Sequence, residues 1–287
     1  MAIATAAKTP GDFVEATLNY VSPDTRISRR FCFPGDEVNT GRFVPYRVFI
    51  HNARTASERI ALDTHAFELF RHRSAVEDFH DRAEIDAIYP REVMDTVQGL
   101  TGADLILPLG YVLRTAADTS GGQAQPPASD VHVDMSPETA PKAALALFAK
   151  EAPGRTFRRF LVTSFWRPYS EPPQDWPVAL CDHRSMAPDE GVPNRRIVRD
   201  DRPTPEEMLA PIPDEEDIPA ALVFRYGPHH RWFYYPDMNR DEVLLIKLHD
   251  SDRTRAWFAP HTAFHDAGRP GTRTRESIEF RTIAYWL

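Results

Sequence analysis

The placement of proline constrains this fold most. There are 26 prolines among 287 residues, and they fall between short apolar runs. Proline breaks helix interiors and is confined to edges, turns and bulges in sheets. Punctuation of this kind favours many short strands over a few long helices. The segments DFVEATLNYVS, RISRRFCF and RFVPYRVFIHNA read as strands, with turns at Pro34-Gly35 and Asn39-Thr40-Gly41. A helical stretch is expected from about Ala66 to Thr96, with a break near Pro90. ADLILPLGYVLRTA follows as a buried strand or strand pair.

Residues 118 to 130 (DTSGGQAQPPASD) form a low-complexity loop. A helix then starts with Ser136 as N-cap and Pro137 at its first position, and continues through KAALALFAKE. From RRFLVTSFWRPY to ESIEFRTIAYWL the pattern is β-branched, aromatic and alternating. It is interrupted by an acidic, proline-rich insertion at 199 to 218 with a short helix at PEEMLA. No internal repeat is visible. The expected architecture is mainly β, a distorted double-sheet jelly roll of the cupin-like kind with flanking α-helices. We expect one domain over 1–287, in which 1–117 packs on a core spanning 131–287.

A net charge of −8 argues against nucleic acid or an anionic membrane as partner, since neutralising phosphates needs a basic face. The pairs Arg29-Arg30 and Arg158-Arg159 read as solvated surface. Cys32 and Cys181 lie far apart and form neither a disulfide framework nor a zinc knuckle. No signal peptide or bilayer-length apolar run is visible, so a cytoplasmic location is expected. A homodimer is left open.

The sharpest local signal is Val131-His132-Val133-Asp134. On a strand, residues two apart project to the same face, so the imidazole and carboxylate can converge on one metal. A distant histidine would complete a two-histidine, one-carboxylate set with open coordination positions, as Fe(II) oxygenases require. Of eleven histidines only His132 has an acidic residue two positions on. His261 in FAPHTAF is the candidate third ligand, and His265 competes with it because four residues along a strand keep the same face. His229-His230 and His249-Asp250 read as turn residues. Arg275 and Ser277 would share a strand face, where a guanidinium and a hydroxyl can hold a carboxylate. Arg26-Ile27-Ser28 repeats that spacing but precedes the His-x-Asp pair.

These residues sit in longer blocks: HVD at 132–134, FWRPYSEPPQDWPVALCD at 165–182, RWFYYPDMNRDEVLLIKLHDSD at 231–252, PHTAFHDA at 260–267 and RESIEFR at 275–281. Together they resemble the hydroxylase/desaturase family of natural-product pathways, the AsaB/CmcJ type. The resemblance covers roughly the C-terminal half. It implies a double-stranded β-helix using Fe(II), 2-oxoglutarate and O2 to hydroxylate or desaturate a small secondary metabolite, with release of succinate and CO2. It also implies His132, Asp134 and His261 as iron ligands, favouring His261 over His265, and Arg275 with Ser277 as the cosubstrate clamp. Met135-Ser136 departs from the Tyr-Thr-like pair expected after the aspartate.

Trp166 and Arg167 are further candidates, the arginine for a substrate or the cosubstrate's near carboxylate, or else for an ion pair with Asp182 or Glu242. Lys247 could point inward as well. The loop 118–130 and the insertion 199–218 are candidate lids. Two other readings stay open: an Fe(II) oxidase that does not use 2-oxoglutarate, and a non-catalytic cupin-like binding protein.

Overall fold

A computed structural model describes residues 11–117 and 124–287. The N-terminal part supplies strands β1 (Phe13–Val21), β2 (Arg29–Phe33), β3 (Asp36–Asn39) and β4 (Phe43–Asn52). Helix α1 (Leu62–His65), strand β5 (Phe67–Arg71), helix α2 (Arg82–Thr101) and strand β6 (Leu105–Thr115) follow. Next come β7 (His132–Val133), α3 (Ala140–Glu151), β8 (Arg159–Pro168), β9 (Val178–Cys181), β10 (Gly191–Val198) and α4 (Pro205–Leu209). The chain closes with β11 (Ala220–Phe224), β12 (Trp232–Tyr234), β13 (Glu242–Asp250), β14 (His261–Ala263) and β15 (Glu276–Trp286). Two sheets result, ordered β1-β4-β12-β9-β14-β7-β11-β10-β2-β3 and β5-β13-β8-β15-β6. This is the expected mainly β jelly roll.

Alternation along β15 shows where the core lies. Ile278, Phe280, Ala284 and Trp286 pack into one apolar cluster with Ile85, Tyr89, Val93 and Val97 of α2. Ile283 and Tyr285 enter another with Val133 and Trp232 from the ten-stranded sheet and with Phe264 just after β14. The small sheet therefore has α2 on its outer face and the large sheet on its inner face. Register shifts interrupt β13–β8 between Lys247 and His249, and β15–β6 between Arg281 and Thr282. At the second, Gly110 of β6 has φ +100°, a conformation that glycine adopts freely.

The expected helix over 66–96 divides. Phe67–Arg71 is a strand paired antiparallel with β13, where edge pairing overrides the weak helical spacing. Helix α2 then runs through Pro90 without stopping. Its buried positions 85, 89, 93 and 97 keep i, i+4 spacing, and packing along that face offsets the ~3 kcal/mol cost of an interior proline. The next helix begins one turn later than Ser136, at Ala140 with Thr139 as N-cap. Ser136 is still tied to β11, its N–H donating to Ala220 O at 2.7 Å.

Arg29 is not surface: it is 1% exposed. Its guanidinium donates to Glu215 and to the carbonyls of Met208 and Ala210, so it pins the 199–218 insertion against β2. Helix α4 lies in that insertion, with a Thr204/Glu207 capping box. Most of the glycine-rich half of the 118–130 loop lies outside the described residues. Both cysteines are free. Among the described residues no helix is long and apolar enough to cross a membrane.

Candidate metal and cosubstrate site

Strand pairing builds the site. His261 of β14 lies directly opposite His132 of β7 in antiparallel register, so both imidazoles leave the sheet on one face. Their ring centroids are 4.6 Å apart. Asp134 is two residues beyond His132 and points the same way. His132 Nε2 is 3.7 Å from Asp134 Oδ1, and His261 Nε2 is 3.9 Å from Asp134 Oδ2. The donor atoms of all three lie within 4.8 Å of one another.

Hydrogen bonds fix which nitrogen each ring offers. His132 Nδ1 donates to Asp130 O at 2.6 Å, and His261 Nδ1 donates to Ala259 O at 3.0 Å. Both Nε2 lone pairs are therefore free for a metal, the arrangement typical of ligating histidines. Burial, with His261 beside it, pushes the His132 imidazole down to about 4, which keeps it neutral near pH 7. Burial would raise the Asp134 carboxyl, but Arg281, His261 and His132 hold it well below the usual carboxylate range. Asp134 Oδ2 is buried without a hydrogen-bond donor. Two imidazole Nε2 atoms and one orphaned carboxylate oxygen fit a divalent iron.

Beside the triad, Arg275 and His132, His261 and Trp166 line one cavity. Arg275 is 2% exposed. Burial, with Arg114 nearby, lowers its guanidinium to about 10. Its Nη1 donates to Trp176 O at 2.9 Å, yet Nε has no partner, and neither has the buried Ser277 Oγ. A buried cation with donors left over fits an incoming carboxylate.

A family model described as "Oxidoreductase/YMDC permease-like domain" matches residues 18–285. The hydroxylase/desaturase CTB9 of Cercospora beticola is 30% identical over 278 residues, covering 88% of this chain and 82% of its own. The Fe(II)/2-oxoglutarate-dependent dioxygenase nvfI of Aspergillus novofumigatus (strain IBT 16806) is 27% identical over 282 residues, covering 94% of this chain and 96% of its own. This chain belongs to the Fe(II)/2-oxoglutarate-dependent hydroxylase/desaturase family. A solved structure of the "iron and alpha-ketoglutarate-dependent endoperoxidase NvfI" superposes with TM-score 0.79 at 25% identity, covering 96% of this chain and 98% of that one.

The similarity to Fe(II)/2-oxoglutarate-dependent dioxygenases gives the cofactors as Fe(II), 2-oxoglutarate and O2. The other sequence candidates divide. Trp166 lines the cavity, and the Arg275 guanidinium carbon lies 5.8 Å from its ring centroid. Arg167 does not face this site. One position on along β8, its side chain turns to the outer face, donating to Tyr89 Oη at 3.2 Å and His72 O at 3.0 Å. It also makes a close contact with Arg240 O. Neither Asp182 nor Glu242 is its partner: they bind Arg184 with Arg231, and Arg54.

Lys247 is likewise outside the cavity, its Nζ 2.9 Å from both Asp63 and Asp250. Its neighbour Ile246 takes the inner face. His265 is exposed and packs beside Trp176, ring centroids 5.2 Å apart. Met135 packs half-buried against the main apolar cluster.

Three charged residues of this oxygenase family member went unread in the sequence. Arg281 Nη2 donates to Asp134 Oδ1 at 3.0 Å and to Glu279 Oε1 at 2.6 Å. Glu279 Oε1 also accepts from Arg114 Nη2 at 3.0 Å. The signal for two of them was present: the strand parity that pairs Arg275 with Ser277 carries Glu279 and Arg281 on the same face.

Proposed function

We propose that this chain oxidises a C–H bond of a small secondary metabolite, by hydroxylation or desaturation. In this reading His132, Asp134 and His261 hold Fe(II), while Arg275 and Ser277 hold the far carboxylate of 2-oxoglutarate. One observation carries it. Asp134 Oδ2, Arg275 Nε and Ser277 Oγ are all buried and lack partners, although buried polar groups are nearly always satisfied. The three residues thus lack what a cation on one side and an anion on the other would supply.

When bound, iron and 2-oxoglutarate supply the oxidising chemistry, consuming O2 and releasing succinate and CO2. The protein's own part is binding and placement. Asp130 O and Ala259 O orient the two imidazoles. Arg275 contributes a fixed positive charge, and Trp166 with Trp176 O limits where its guanidinium can turn. Val178 and Ile246 supply apolar wall beside the triad, which strengthens each charged contact by excluding water.

The test is direct. Under anaerobic conditions Fe(II) plus 2-oxoglutarate should give a weak visible charge-transfer band, absent in Asp134→Ala and diminished in Arg275→Ala. Turnover should yield succinate. Wild-type protein that binds neither iron nor 2-oxoglutarate would falsify the reading, and turnover without succinate would remove the cosubstrate from it.

A further inference from the structure

We infer that Arg281 is a positioning residue that fixes Asp134 as a one-oxygen metal ligand, and that Glu279 holds Arg281 in place. The inference rests on the metal-site reading above. An Nη2 amino group carries two hydrogens, and the two short contacts of Arg281 Nη2 use both: one on Asp134 Oδ1 at 3.0 Å, the other on Glu279 Oε1 at 2.6 Å. With Oδ1 engaged by a cation, Oδ2 is the oxygen left for a metal, and it is the one without a donor. The carboxylate plane is thereby set, and a two-oxygen grip on the ion is opposed.

Glu279 Oε1 is shared between Arg281 and Arg114, so charges alternate in sign from Asp134 through Arg281 and Glu279 to Arg114. The ladder ends on the segment leading into β7, where Arg114 Nη1 donates to Pro126 O at 3.0 Å. Arg281 sits at the register shift between β15 and β6. Bulges re-aim side chains beside functional sites, and here the shift falls at the residue that reaches Asp134. Partners of metal ligands typically govern affinity by about 10–100-fold.

The experiment uses the full chain stripped of metal by chelation and titrated with Co(II), followed by its visible absorption. Arg281→Met should weaken Co(II) binding by about 10–100-fold while the metal-free melting temperature stays near wild type. Arg281→Lys, which keeps a cationic donor, should recover much of that loss. A purely structural role would shift melting without this rescue. Equal Co(II) affinity in wild type and Arg281→Met overturns the inference. If Arg281→Met does not fold, Glu279→Gln decides: weaker binding at wild-type melting supports the inference, and unchanged affinity overturns it. Failure of the wild-type chain to bind Co(II) overturns the metal-site reading itself, a separate outcome.

Discussion

His132 and His261 face each other across antiparallel strands β7 and β14, as a directly opposed pair in the register. Each ring is oriented by a carbonyl two residues before it in the chain, Asp130 O and Ala259 O. The two imidazoles proposed as ligands are thus placed by backbone geometry. His261→Ala should abolish measurable Fe(II) or Co(II) binding. His265→Ala, by contrast, removes an exposed ring next to Trp176 and should leave metal affinity within about twofold, since surface changes away from a site are near neutral. Calorimetric titration of both variants checks this, and equal losses would place the third ligand elsewhere.

Arg275 is a buried cation whose Nε has no acceptor. A carboxylate arriving there would gain a charge-assisted contact in a water-poor cavity. Truncating one partner of such a pair costs about 2–5 kcal/mol. Arg275→Ala should therefore weaken 2-oxoglutarate binding by at least about 30-fold with Fe(II) affinity little changed. Ser277→Ala removes a neutral donor, and its loss should be smaller, about 1 kcal/mol. Titration of the anaerobic charge-transfer band reads both.

Much of this site was legible because strand parity is a local property. His-x-Asp and Arg-x-Ser need only a strand to share a face, and each overlaps a strand end, β7 at His132–Val133 and β15 from Glu276. What parity cannot give is which face turns inward. Trp166 and Arg167 are adjacent on β8, yet one lines the cavity and the other lies under α2. Ile246 and Lys247 divide in the same way. His261 and His265 share a face only on a strand long enough to hold both, but β14 ends at Ala263. Local spacing predicts helix at Phe67–Arg71 because it does not encode the long-range pairing with β13. Arg281 was readable by the same parity as Arg275; only its partner, Asp134, needed the fold.

Lys247 and Asp250 are both fully buried and paired at 2.9 Å, with Asp63 and Arg159 completing the group. Breaking a buried pair from one side leaves an uncompensated charge and costs about 3–5 kcal/mol. Lys247→Ala should therefore lower stability by that amount in denaturant titration. Its Co(II) and 2-oxoglutarate affinities should match wild type at temperatures where it stays folded. A selective loss of cosubstrate binding would instead return Lys247 to the cavity.

His249 links the fold to pH. It is 1% exposed, stacked parallel on Phe160 at 5.4 Å, and its Nδ1 has no partner. Its Nε2 accepts from Arg253 Nη2 at 3.3 Å, so the ring is neutral with its proton on Nδ1. Burial first, and then Arg253, push its pKa from 6.5 down to about 4. The unfolded chain therefore binds a proton that the folded chain refuses between these two values, and stability falls as pH drops through that window. The full effect is on the order of 3 kcal/mol, developed from about pH 6.5 down to about pH 4. His249→Phe keeps the stack on Phe160, discards the unpartnered N–H, and removes this titration. Denaturation midpoints measured at intervals from pH 4 to pH 7 should decline less steeply in His249→Phe than in wild type. Parallel curves for the two proteins would mean that His249 is not the group responsible.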